Sequence, residues 1–522
     1  MSMIPYGLYS IAAFLESRKH DVSLANFSKL GFREAASLAA KEKPELIGVS
    51  IFSFNRYDSF AFIKEVRRLM PNVKICIGGP HADFFSDEIL KRYSAINAVI
   101  KGEGEEAFAS LADAIERSES FEPIIIGERI KNIDALPLPL SFQGKMIGIN
   151  NNEQLKVIIT SRGCPSNCTF CSSPQFWSRR VSFRSAKSIA DEIETIYKKF
   201  GIIYFSIRDD NFTLKKDRVI EVCDLLIKRK LFLMWNCQAR VDTIDIDMLK
   251  AMKLAGLEHI QLGVESGSQK MLDKYNKGIR TEDIIKAADI TRSAGISLSI
   301  YLMTGMLEET GKDVQETVEI IKKIRPMDGM VSPVAYYPGT ALYDEMKLAG
   351  KVSNDIWFNT KESGIFLRKD IDAEAGMMRI LRELDLVGSR AAFTRADFKK
   401  HRAKIGECWI TDVMEGDFLR NAGDLTQASN MYTAMIDKNP ENIWAYLRMG
   451  SLFELVDDYE SAFNFYDKAK KLLPPFFGSW MKASEALFMM KRKTEAITYA
   501  QQALKLNPFD ERVIALKKKL KI

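Results

Sequence analysis

The sequence predicts an α/β protein in three folded parts: a doubly wound parallel sheet, a partial (β/α)6 barrel and an all-α array of repeats. Residues 1–120 and again 155–345 alternate short apolar runs with amphipathic segments, which is the pattern of a parallel sheet with helices on its faces. After residue 406, small residues and prolines recur at a fixed interval. The length of 522 residues agrees with several domains, since one domain takes about 150 residues.

Composition and charge exclude several classes of protein. The chain is 46% hydrophobic and 28% charged, and no block of like charges concentrates its net charge of +6, so we expect neither a nucleic-acid binder nor a membrane-surface protein. Residues 293–307, among the longest uncharged runs, are fewer than the roughly 20 that cross a bilayer. Residues 1–9 lack the basic and apolar regions of a signal peptide. We expect a cytoplasmic protein, since the cysteines outside one cluster are scattered as in a reducing compartment: Cys76, Cys223, Cys237 and Cys408.

Residues 1–120 are expected to form the first α/β domain. Its predicted strands are residues 22–25, 46–50, 74–77 and 98–100, and its predicted helices are 8–18, 60–69 and 88–93. Glycine-rich turns follow the third and fourth strands, at the carboxyl end where doubly wound sheets bind ligands. These turns are Gly78-Gly79-Pro80-His81 and Gly102-Glu103-Gly104-Glu105-Glu106. A tight connection between strand and helix explains either turn equally well.

Residues 121–154 predict a linker, because Leu136-Pro137-Leu138-Pro139-Leu140 and Asn150-Asn151-Asn152 are unlikely inside regular elements. Residues 155–345 predict a partial barrel, with its chemistry at the carboxyl ends of the strands. Its predicted strands are residues 157–160, 204–207, 232–236, 259–264, 297–303 and 329–334. Amphipathic segments at about 185–200, 217–230, 245–255, 281–294 and 310–325 separate them.

Three cysteines, Cys164, Cys168 and Cys171, follow the first barrel strand in a C-x3-C-x2-C spacing. Iron–sulfur clusters are held by cysteine thiolates, and a four-iron cluster normally takes four of them. Three thiolates therefore leave one iron open to a ligand, as a catalytic metal centre requires. The alternatives are buried apolar cysteines or a zinc site with a distant histidine. No second C-x2-C and no nearby histidine supplies a fourth zinc ligand, and buried cysteines have no reason to keep this spacing.

Polar groups follow the other five barrel strands and are expected at the same rim as the cysteines. Each one alone is explained by a turn or a helix cap, as Ser266 and Thr310 are by helix N-caps. Together they are better explained by a binding site. The segments are Arg208-Asp209-Asp210-Asn211-Phe212, Gln238-Ala239-Arg240, Glu265-Ser266-Gly267-Ser268, Gly305-Met306-Leu307-Glu308-Glu309-Thr310 and Tyr337-Pro338-Gly339-Thr340.

Residues 346–406 predict a charged helical extension without an assignable motif, and residues 407–522 predict repeats. Pro440, Pro474 and Pro508 recur every 34 residues. The same step relates Ala428, Ala462 and Ala496, and also Gly416, Gly450 and Ser484. This period, with small residues inside each helix pair and proline at its end, is the tetratricopeptide pattern, and an unrelated helical bundle is the alternative. Three repeats form a short concave surface that suits a protein or peptide partner.

Residues 155–345 resemble the radical S-adenosylmethionine (SAM) superfamily, in the branch associated with B12-binding domains. The resemblance implies a [4Fe–4S] cluster on Cys164, Cys168 and Cys171, with SAM on the fourth iron. It also implies that Phe170 lies against the adenine of SAM and that Asp209 or Asp210 lies near its amino group. Arg240 and Glu265 are implied contacts to the carboxylate and ribose. The motifs are Arg162-Gly163-Cys164-Pro165-Ser166-Asn167-Cys168-Thr169-Phe170-Cys171, Asp209-Asp210-Asn211-Phe212, Gly263-Val264-Glu265-Ser266-Gly267 and Tyr337-Pro338-Gly339-Thr340.

One segment departs from that family. Thr304-Gly305-Met306-Leu307-Glu308 stands where Gly-Leu-Pro-Gly-Glu-Thr is usual, which leaves the role of the turn after the fifth strand open.

Residues 4–110 are similar to the B12-binding domain that precedes the barrel in cobalamin-dependent members. The segments are Pro5-Tyr6-Gly7-Leu8, Ile47-Gly48-Val49-Ser50, Pro71 through Gly78-Gly79-Pro80-His81, and Lys101-Gly102-Glu103-Gly104-Glu105. The implied cobalamin contacts are Gly7, Ser50, Gly78, Gly79, His81, Gly102, Glu103 and Gly104. The Asp-x-His-x-x-Gly motif that supplies an axial histidine in other cobalamin proteins is absent, so a cobalamin here is expected to lack a protein histidine ligand. Only four residues precede Pro5, where family members have a strand.

The resemblance implies an enzyme that cleaves SAM reductively and acts on an unactivated carbon, by methyl transfer if cobalamin binds. Radical rearrangement, cyclisation or oxidation without cobalamin is the alternative, favoured if the missing strand abolishes cobalamin binding. Methylthiolation would need three N-terminal cysteines, and only Cys76 is there. The intact cysteine triplet argues against a non-catalytic repeat scaffold. The expected partners are a flavodoxin- or ferredoxin-type electron donor, an unknown substrate, and a protein or peptide on the repeats.

Overall fold

The computed structural model describes residues 4–522, and its first part is built around a parallel sheet. The sheet has the strand order β2-β3-β4-β5, with every neighbouring pair parallel. Its buried face and flanking helices form an α/β layer, as predicted. The elements are α1 (Tyr6–Ser17), β1 (Ser23–Ala25), α2 (Phe32–Lys41), β2 (Leu46–Ser50), α3 (Arg56–Leu69), β3 (Lys74–Gly78), α4 (Pro80–Phe84), α5 (Ser86–Arg92), β4 (Ala98–Gly102), α6 (Gly104–Glu116) and β5 (Ile124–Gly127).

The strand predicted at residues 22–25 forms, but its expected place in the first sheet is wrong. β1 pairs in parallel with β6 (Lys145–Ile147), in a separate sheet of two strands. The described sheet therefore ends at β2, and no strand among residues 4–522 pairs with the outer edge of β2.

The interpretation of residues 121–154 as a linker without regular elements is also corrected. The apolar run that forms β5 pairs with β4 and completes the first sheet, while β6 pairs with β1. The asparagine run begins α7 (Asn151–Gln154), because the Asn150 side chain accepts hydrogen bonds from the backbone N–H groups of Asn152 and Glu153. Asparagine at an N-cap starts a helix by satisfying its free N–H groups.

The second part is a partial barrel of six parallel strands, as predicted, in the order β14-β13-β12-β11-β10-β7. Each strand is followed by a helix that returns the chain to the amino end of the next strand. The elements are β7 (Val157–Ile158), β8 (Ser161–Arg162), α8 (Ser173–Phe176), β9 (Ser182–Phe183), α9 (Ala186–Phe200), β10 (Tyr204–Ile207), α10 (Lys216–Lys228), β11 (Met234–Arg240), α11 (Ile246–Leu254), β12 (Leu257–Glu265), α12 (Gln269–Lys274), α13 (Thr281–Ser293), β13 (Ser297–Thr304), α14 (Gly311–Ile324) and β14 (Asp328–Pro333).

Two rim segments belong to strands and do not follow them, contrary to prediction. Gln238-Ala239-Arg240 ends β11, since these residues pair in register with Gln261–Gly263 of β12. Glu265 is the last residue of β12. Thr310 caps α14, as its cap alternative predicts, whereas Ser268 and not Ser266 is the N-cap residue of α12.

The extension after the barrel is helical, as predicted, and its elements are α15 (Ala341–Leu348), α16 (Ile356–Asn359), α17 (Ile371–Gly388) and α18 (Arg395–Ile405). α17 buries Ile380 and Leu384 in the barrel core beside β14. The segment around α16 crosses to the first domain, where the Arg56 guanidinium donates to the carbonyl oxygens of Trp357 at 2.7 Å and Glu362 at 2.7 Å. The extension therefore joins both α/β parts.

The last part is a stack of antiparallel helix pairs, consistent with the predicted repeats. At Gly450 an added Cβ would lie 2.5 Å from the Tyr466 ring, so the small residues of the repeat allow paired helices to approach closely. The stack packs on the barrel at the amino ends of the strands, where the Trp444 indole N–H donates to the Phe232 carbonyl at 3.0 Å. The helices are α19 (Trp409–Asn421), α20 (Leu425–Lys438), α21 (Ile443–Glu454), α22 (Tyr459–Leu472), α23 (Phe477–Met489), α24 (Lys493–Leu506) and α25 (Glu511–Leu520).

The repeats therefore lie at the opposite edge of the barrel from the cysteines. None of the helices in residues 4–522 has both the length and the apolar character that a membrane span requires.

Candidate active site

The three cysteines lie in one loop, residues 163–171, which we call the cysteine loop. It is anchored at its start by β8, which pairs antiparallel with β9. Cys164 and Cys168 are buried, Cys171 is half-buried, and the Cys171 N–H donates to the Cys168 carbonyl at 3.2 Å. Gly163 has a φ of 96°, and a Cβ there would lie 2.2 Å from the Arg180 carbonyl oxygen. Glycine is therefore required just before the first cysteine.

The spread of the three sulfur atoms fits a cluster better than a single ion. Within residues 4–522, only His20, Asp113 and Glu116 bring three potential ligand atoms within 4.8 Å of one another. At least two of the cysteine sulfurs are thus more than 4.8 Å apart, beyond the roughly 4 Å expected of thiolates on one tetrahedral zinc, whose Zn–S bonds are about 2.3 Å. A four-iron cluster has a separate iron for each thiolate and accepts a wider spacing. The role of Cys164, Cys168 and Cys171 as ligands of a [4Fe–4S] cluster stays a prediction that this spacing allows.

Arg240, a predicted SAM contact, contacts the cysteine loop itself. Its Nη1 donates to the Cys168 Sγ at 3.3 Å. Two bonds to Asp242, at 2.9 and 3.0 Å, and one to the Lys277 carbonyl at 2.6 Å hold the guanidinium in place. The guanidinium is thus fixed with its positive charge against the Cys168 sulfur. Arg240 therefore contacts a predicted cluster ligand directly.

Phe170 and Glu265 come together near two residues that sequence reasoning missed. The Phe170 ring packs edge-on against Tyr275, with centroids 5.6 Å apart. The Lys277 Nζ lies 5.8 Å from the Phe170 ring centroid and donates to the Glu265 Oε1 at 2.7 Å. Lys277 is 5% exposed, and the buried Tyr275 hydroxyl has no hydrogen-bond partner among the described residues. Tyr275 and Lys277 follow α12 and are not at the end of a strand, so their positions in the sequence give no sign of a role at the rim.

The two neighbouring aspartates have different surroundings. The buried Asp209 carboxylate accepts from the Thr160 N–H at 2.6 Å, the Thr160 hydroxyl and the Ser161 hydroxyl at 2.6 Å. It therefore fixes the chain that leads into the cysteine loop. Asp210 is exposed and accepts from the Ser173 hydroxyl at 2.7 Å. Of the two predicted residues, Asp210 retains more acceptor capacity for a ligand.

A buried ion-pair network fastens the first domain to the cysteine loop. Arg162, two positions before Cys164, donates to Glu103 Oε2 at 2.6 Å and Glu105 Oε1 at 2.6 Å. Both carboxylates are almost fully buried, and Glu105 also accepts from the Ser10 hydroxyl at 2.7 Å. Arg129 pairs with Glu103 at 3.2 Å. We call Ser10, Glu103, Glu105, Arg129 and Arg162 the docking network. Glu103, which was predicted to contact cobalamin, is paired with arginines in this structure.

The remaining predicted cobalamin residues divide into occupied and open positions. An added Cβ at Gly79 would lie 2.9 Å from the Ile51 carbonyl, at Gly102 2.6 Å from the Gly127 carbonyl, and at Gly104 2.6 Å from the Ile11 side chain. These glycines allow close contacts within the chain. By contrast, a Cβ at Gly7 would meet nothing within 4 Å, and one at Gly78 only the Ile100 carbonyl at 3.7 Å. Ser50, at the end of β2, is half-buried.

His81 is enclosed and does not face an open position. Its ring packs against the aromatic rings of Phe85 at 5.1 Å and Trp357 at 6.0 Å, and its Nδ1 lies 3.1 Å from the Ser53 hydroxyl. Burial and the nearby Arg56 lower the pKa of His81 to about 3, so the ring is neutral. Open space therefore remains for a corrinoid beside Gly7 and Gly78, the His81 imidazole is not accessible to it, and the contacts themselves stay predictions.

The carboxyl edges of the two sheets face each other. One buried apolar cluster contains side chains from both parts and from the extension. At Gly339, after β14, an added Cβ would lie 2.0 Å from the Phe84 ring of α4. Members of the cluster include Phe85, Met271, Tyr275, Met306, Tyr336 and Trp357. The two sites predicted separately from sequence thus form one continuous region.

Replacing Arg162 with Gln is predicted to destabilise the protein strongly. The change leaves the buried carboxylates of Glu103 and Glu105 without their shared partner, which costs about 3–5 kcal/mol for a broken buried ion pair. The free energy of unfolding in urea, compared between the variant and the wild type, measures this cost. Arg117→Gln, which removes an exposed arginine 3.9 Å from Asp113, is the matched control and should change the free energy of unfolding by less than about 1 kcal/mol. Equal effects of the two substitutions would contradict a stabilising network.

Cys168→Ala is predicted to abolish the charge-transfer absorbance of the reconstituted cluster, because one of three ligands is lost. Cys223→Ala, which removes a buried cysteine in α10, is the control and should retain it. Visible spectra after anaerobic reconstitution with iron and sulfide measure both. An unchanged spectrum for Cys168→Ala would reassign the ligands.

The comparisons with known families agree with this geometry. The radical SAM superfamily matches residues 158–321, the B12 binding domain matches residues 1–112, and a tetratricopeptide repeat matches residues 477–510. Two solved structures share the fold. The radical SAM methyltransferase TsrM of Kitasatospora setae, with tryptophan and a SAM analogue bound, has a TM-score of 0.61 at 17% identity, over 79% of this chain and 92% of that chain. The cobalamin-dependent SAM radical enzyme OxsB has a TM-score of 0.52 at 16% identity, over 99% and 81%.

Curated relatives match at the level of sequence. An uncharacterized methyltransferase of Pyrococcus horikoshii is 28% identical over 65% of this chain and 78% of the relative. An anaerobic magnesium-protoporphyrin IX monomethyl ester cyclase of Rubrivivax gelatinosus is 26% identical over 58% and 59%, so the chain spans about three fifths of that relative. A bacteriochlorophyllide d C-8(2)-methyltransferase of Chlorobaculum tepidum is 24% identical over 62% and 73%. The chain therefore contains a radical SAM domain, with a B12 binding domain before it and a tetratricopeptide repeat after it.

Proposed function

We propose that this protein is a cobalamin-dependent radical SAM methyltransferase that acts on a carbon of an apolar substrate. The observation that carries the proposal is the docking network, which holds the carboxyl edge of the B12-binding domain against the cysteine loop through Arg162. Two cofactor sites that act on one substrate must lie within reach of it. The names of the Pyrococcus and Chlorobaculum relatives support methyl transfer.

The residues of the barrel rim have separable tasks in this proposal. When bound, a [4Fe–4S] cluster and SAM would supply the radical chemistry that acts on an unactivated carbon. Cys164, Cys168 and Cys171 would hold the cluster, and Arg240 would hold the Cys168 sulfur in place through its hydrogen bond. Lys277, with one N–H on Glu265, has further N–H groups for the SAM carboxylate, and Phe170 offers its ring to the adenine.

The wall between the two sheets favours an apolar substrate. The shared cluster is entirely apolar in its packing and combines aliphatic side chains with aromatic and methionine ones, including Met306, Tyr336 and Trp357. Methionine side chains repack readily around apolar ligands. Within this cluster the fully buried Tyr275 hydroxyl is a polar group without a hydrogen-bond partner among the described residues. Relatives named for bacteriochlorophyllide and magnesium-protoporphyrin, which are large planar substrates, agree with this class.

A radical cyclisation or oxidation without cobalamin is the second candidate. It is favoured by the position of β1, which pairs with β6 outside the first sheet, so that the described sheet has four strands. It is also favoured by the internal contacts of Gly79, Gly102 and His81, which were predicted to touch cobalamin. The Rubrivivax relative is named as a cyclase.

We infer a cytoplasmic location and a protein partner on the repeats. All seven cysteines are unpaired, which suits a reducing compartment where an iron–sulfur cluster persists. The repeat array lies at the amino ends of the barrel strands, so a partner bound there is remote from the cysteine loop.

Anaerobic reconstitution with iron, sulfide and hydroxocobalamin, followed by reduction in the presence of SAM, tests the proposal. We expect retained corrinoid and formation of both 5′-deoxyadenosine and S-adenosylhomocysteine. 5′-Deoxyadenosine without retained corrinoid would favour the second candidate. A folded, cluster-loaded sample that forms no 5′-deoxyadenosine would contradict both.

A further inference from the structure

The cysteine loop has one face that is open to solvent. Pro165 and Asn167 are exposed on it, and the turn of residues 177–180 lies beside them. The opposite side of the loop faces the barrel, where Arg240 contacts Cys168 and Tyr275 contacts Phe170. A protein that delivers electrons to a cluster in this loop therefore has access from the side of Pro165 and the turn.

The turn of residues 177–180 is built to project two guanidinium groups. Ser178 and Arg179 both have positive φ angles, 50° and 55°, which L residues adopt rarely. The Arg179 Nε donates to the Pro165 carbonyl at 3.2 Å, and the Arg180 carbonyl abuts Gly163. The turn is thus fixed to the backbone on either side of Cys164, while the side chains of Arg179 and Arg180 are exposed.

The positive charges of Arg179 and Arg180 are not paired with carboxylates of the described residues. Within residues 4–522, no carboxylate lies within 4.0 Å of the Arg179 or Arg180 guanidinium, whereas many other surface arginines have acidic partners. Arg129, whose charge is paired with Glu103, lies on the same side and stacks 4.7 Å from the Trp177 ring, so the unpaired charge of the patch is that of Arg179 and Arg180. The patch combines unpaired positive charge with a half-buried indole. It is complementary to an acidic protein that presents a planar cofactor at its surface.

We propose that the turn of residues 177–180 is the docking site for an acidic flavodoxin-type electron carrier. The inference rests on the cluster of the proposed function. One electron passes from the reduced flavin of the carrier to the oxidised cluster, and no covalent bond forms or breaks. Unpaired surface charge accelerates encounter with an oppositely charged protein and is screened by salt.

Single-turnover reduction of the reconstituted protein tests the proposal. Cluster bleaching is followed by stopped flow with flavodoxin hydroquinone, and separately with the methyl viologen radical, a small cation that needs no docking surface. The variants are Arg179→Glu/Arg180→Glu and Arg180→Glu alone, which keeps the bond from Arg179 to Pro165. The control is Lys491→Glu/Lys493→Glu, the same charge reversal at two exposed lysines of the repeats.

At low ionic strength we expect the double variant to be reduced by flavodoxin about tenfold or more slowly than the wild type, with a smaller loss for Arg180→Glu. Added salt should shrink the difference. Methyl viologen should reduce all variants no more slowly than the wild type, and the repeat variant should match the wild type with both reductants. Iron and sulfide contents should be equal throughout.

Several results would overturn the proposal. Equal rates of cluster reduction by flavodoxin hydroquinone in the double variant and the wild type would contradict a docking site at this turn. Equal slowing with methyl viologen would show that the turn supports the cysteine loop instead. If the double variant were reduced more slowly than the wild type by reduced ferredoxin but not by flavodoxin hydroquinone, the carrier would be a ferredoxin instead. Because bleaching precedes any turnover, it is independent of methyl transfer; a chain that binds no cluster would overturn this proposal and the proposed function together.

Discussion

The buried pairing of Arg162 with Glu103 and Glu105 is the constraint on which the candidate site depends. Two carboxylates that are almost fully buried require a shared cation, and that cation belongs to the chain just before Cys164. The carboxyl edge of the first sheet is thereby held beside the cysteine loop. The network links the turn of residues 102–106 in the first domain to the first residues of the barrel.

Around this pairing the structure divides the barrel into two functional edges. At the carboxyl edge lie the cysteine loop, Arg240, and the apolar cluster shared with the first domain. At the amino edge the repeats pack on Phe232 through Trp444. The cysteine loop and the repeats are thus separated by the length of the strands, and in a parallel barrel reactions occur at the carboxyl ends.

Much of the fold was predictable because the signals are local. The six barrel strands follow from apolar runs, and the repeats from a period of 34 residues shared by Ala428 and Ala462. The place of β1 was not predictable, since its pairing with β6 is set by residues more than a hundred positions away. The cysteine triplet follows from spacing. Tyr275 and Lys277 do not, because only the folded α12 segment brings them to Phe170.

If the two sheet edges form one site for two cofactors, a cluster and a cobalt ion bound there must lie close together. Pulsed electron paramagnetic resonance on the protein loaded with a reduced cluster and Co(II) cobalamin measures the interaction between the two paramagnetic centres directly. We expect measurable magnetic coupling between them, since the docking network holds both edges together. Independent signals, or cobalt that is lost on gel filtration while the cluster is retained, would contradict it.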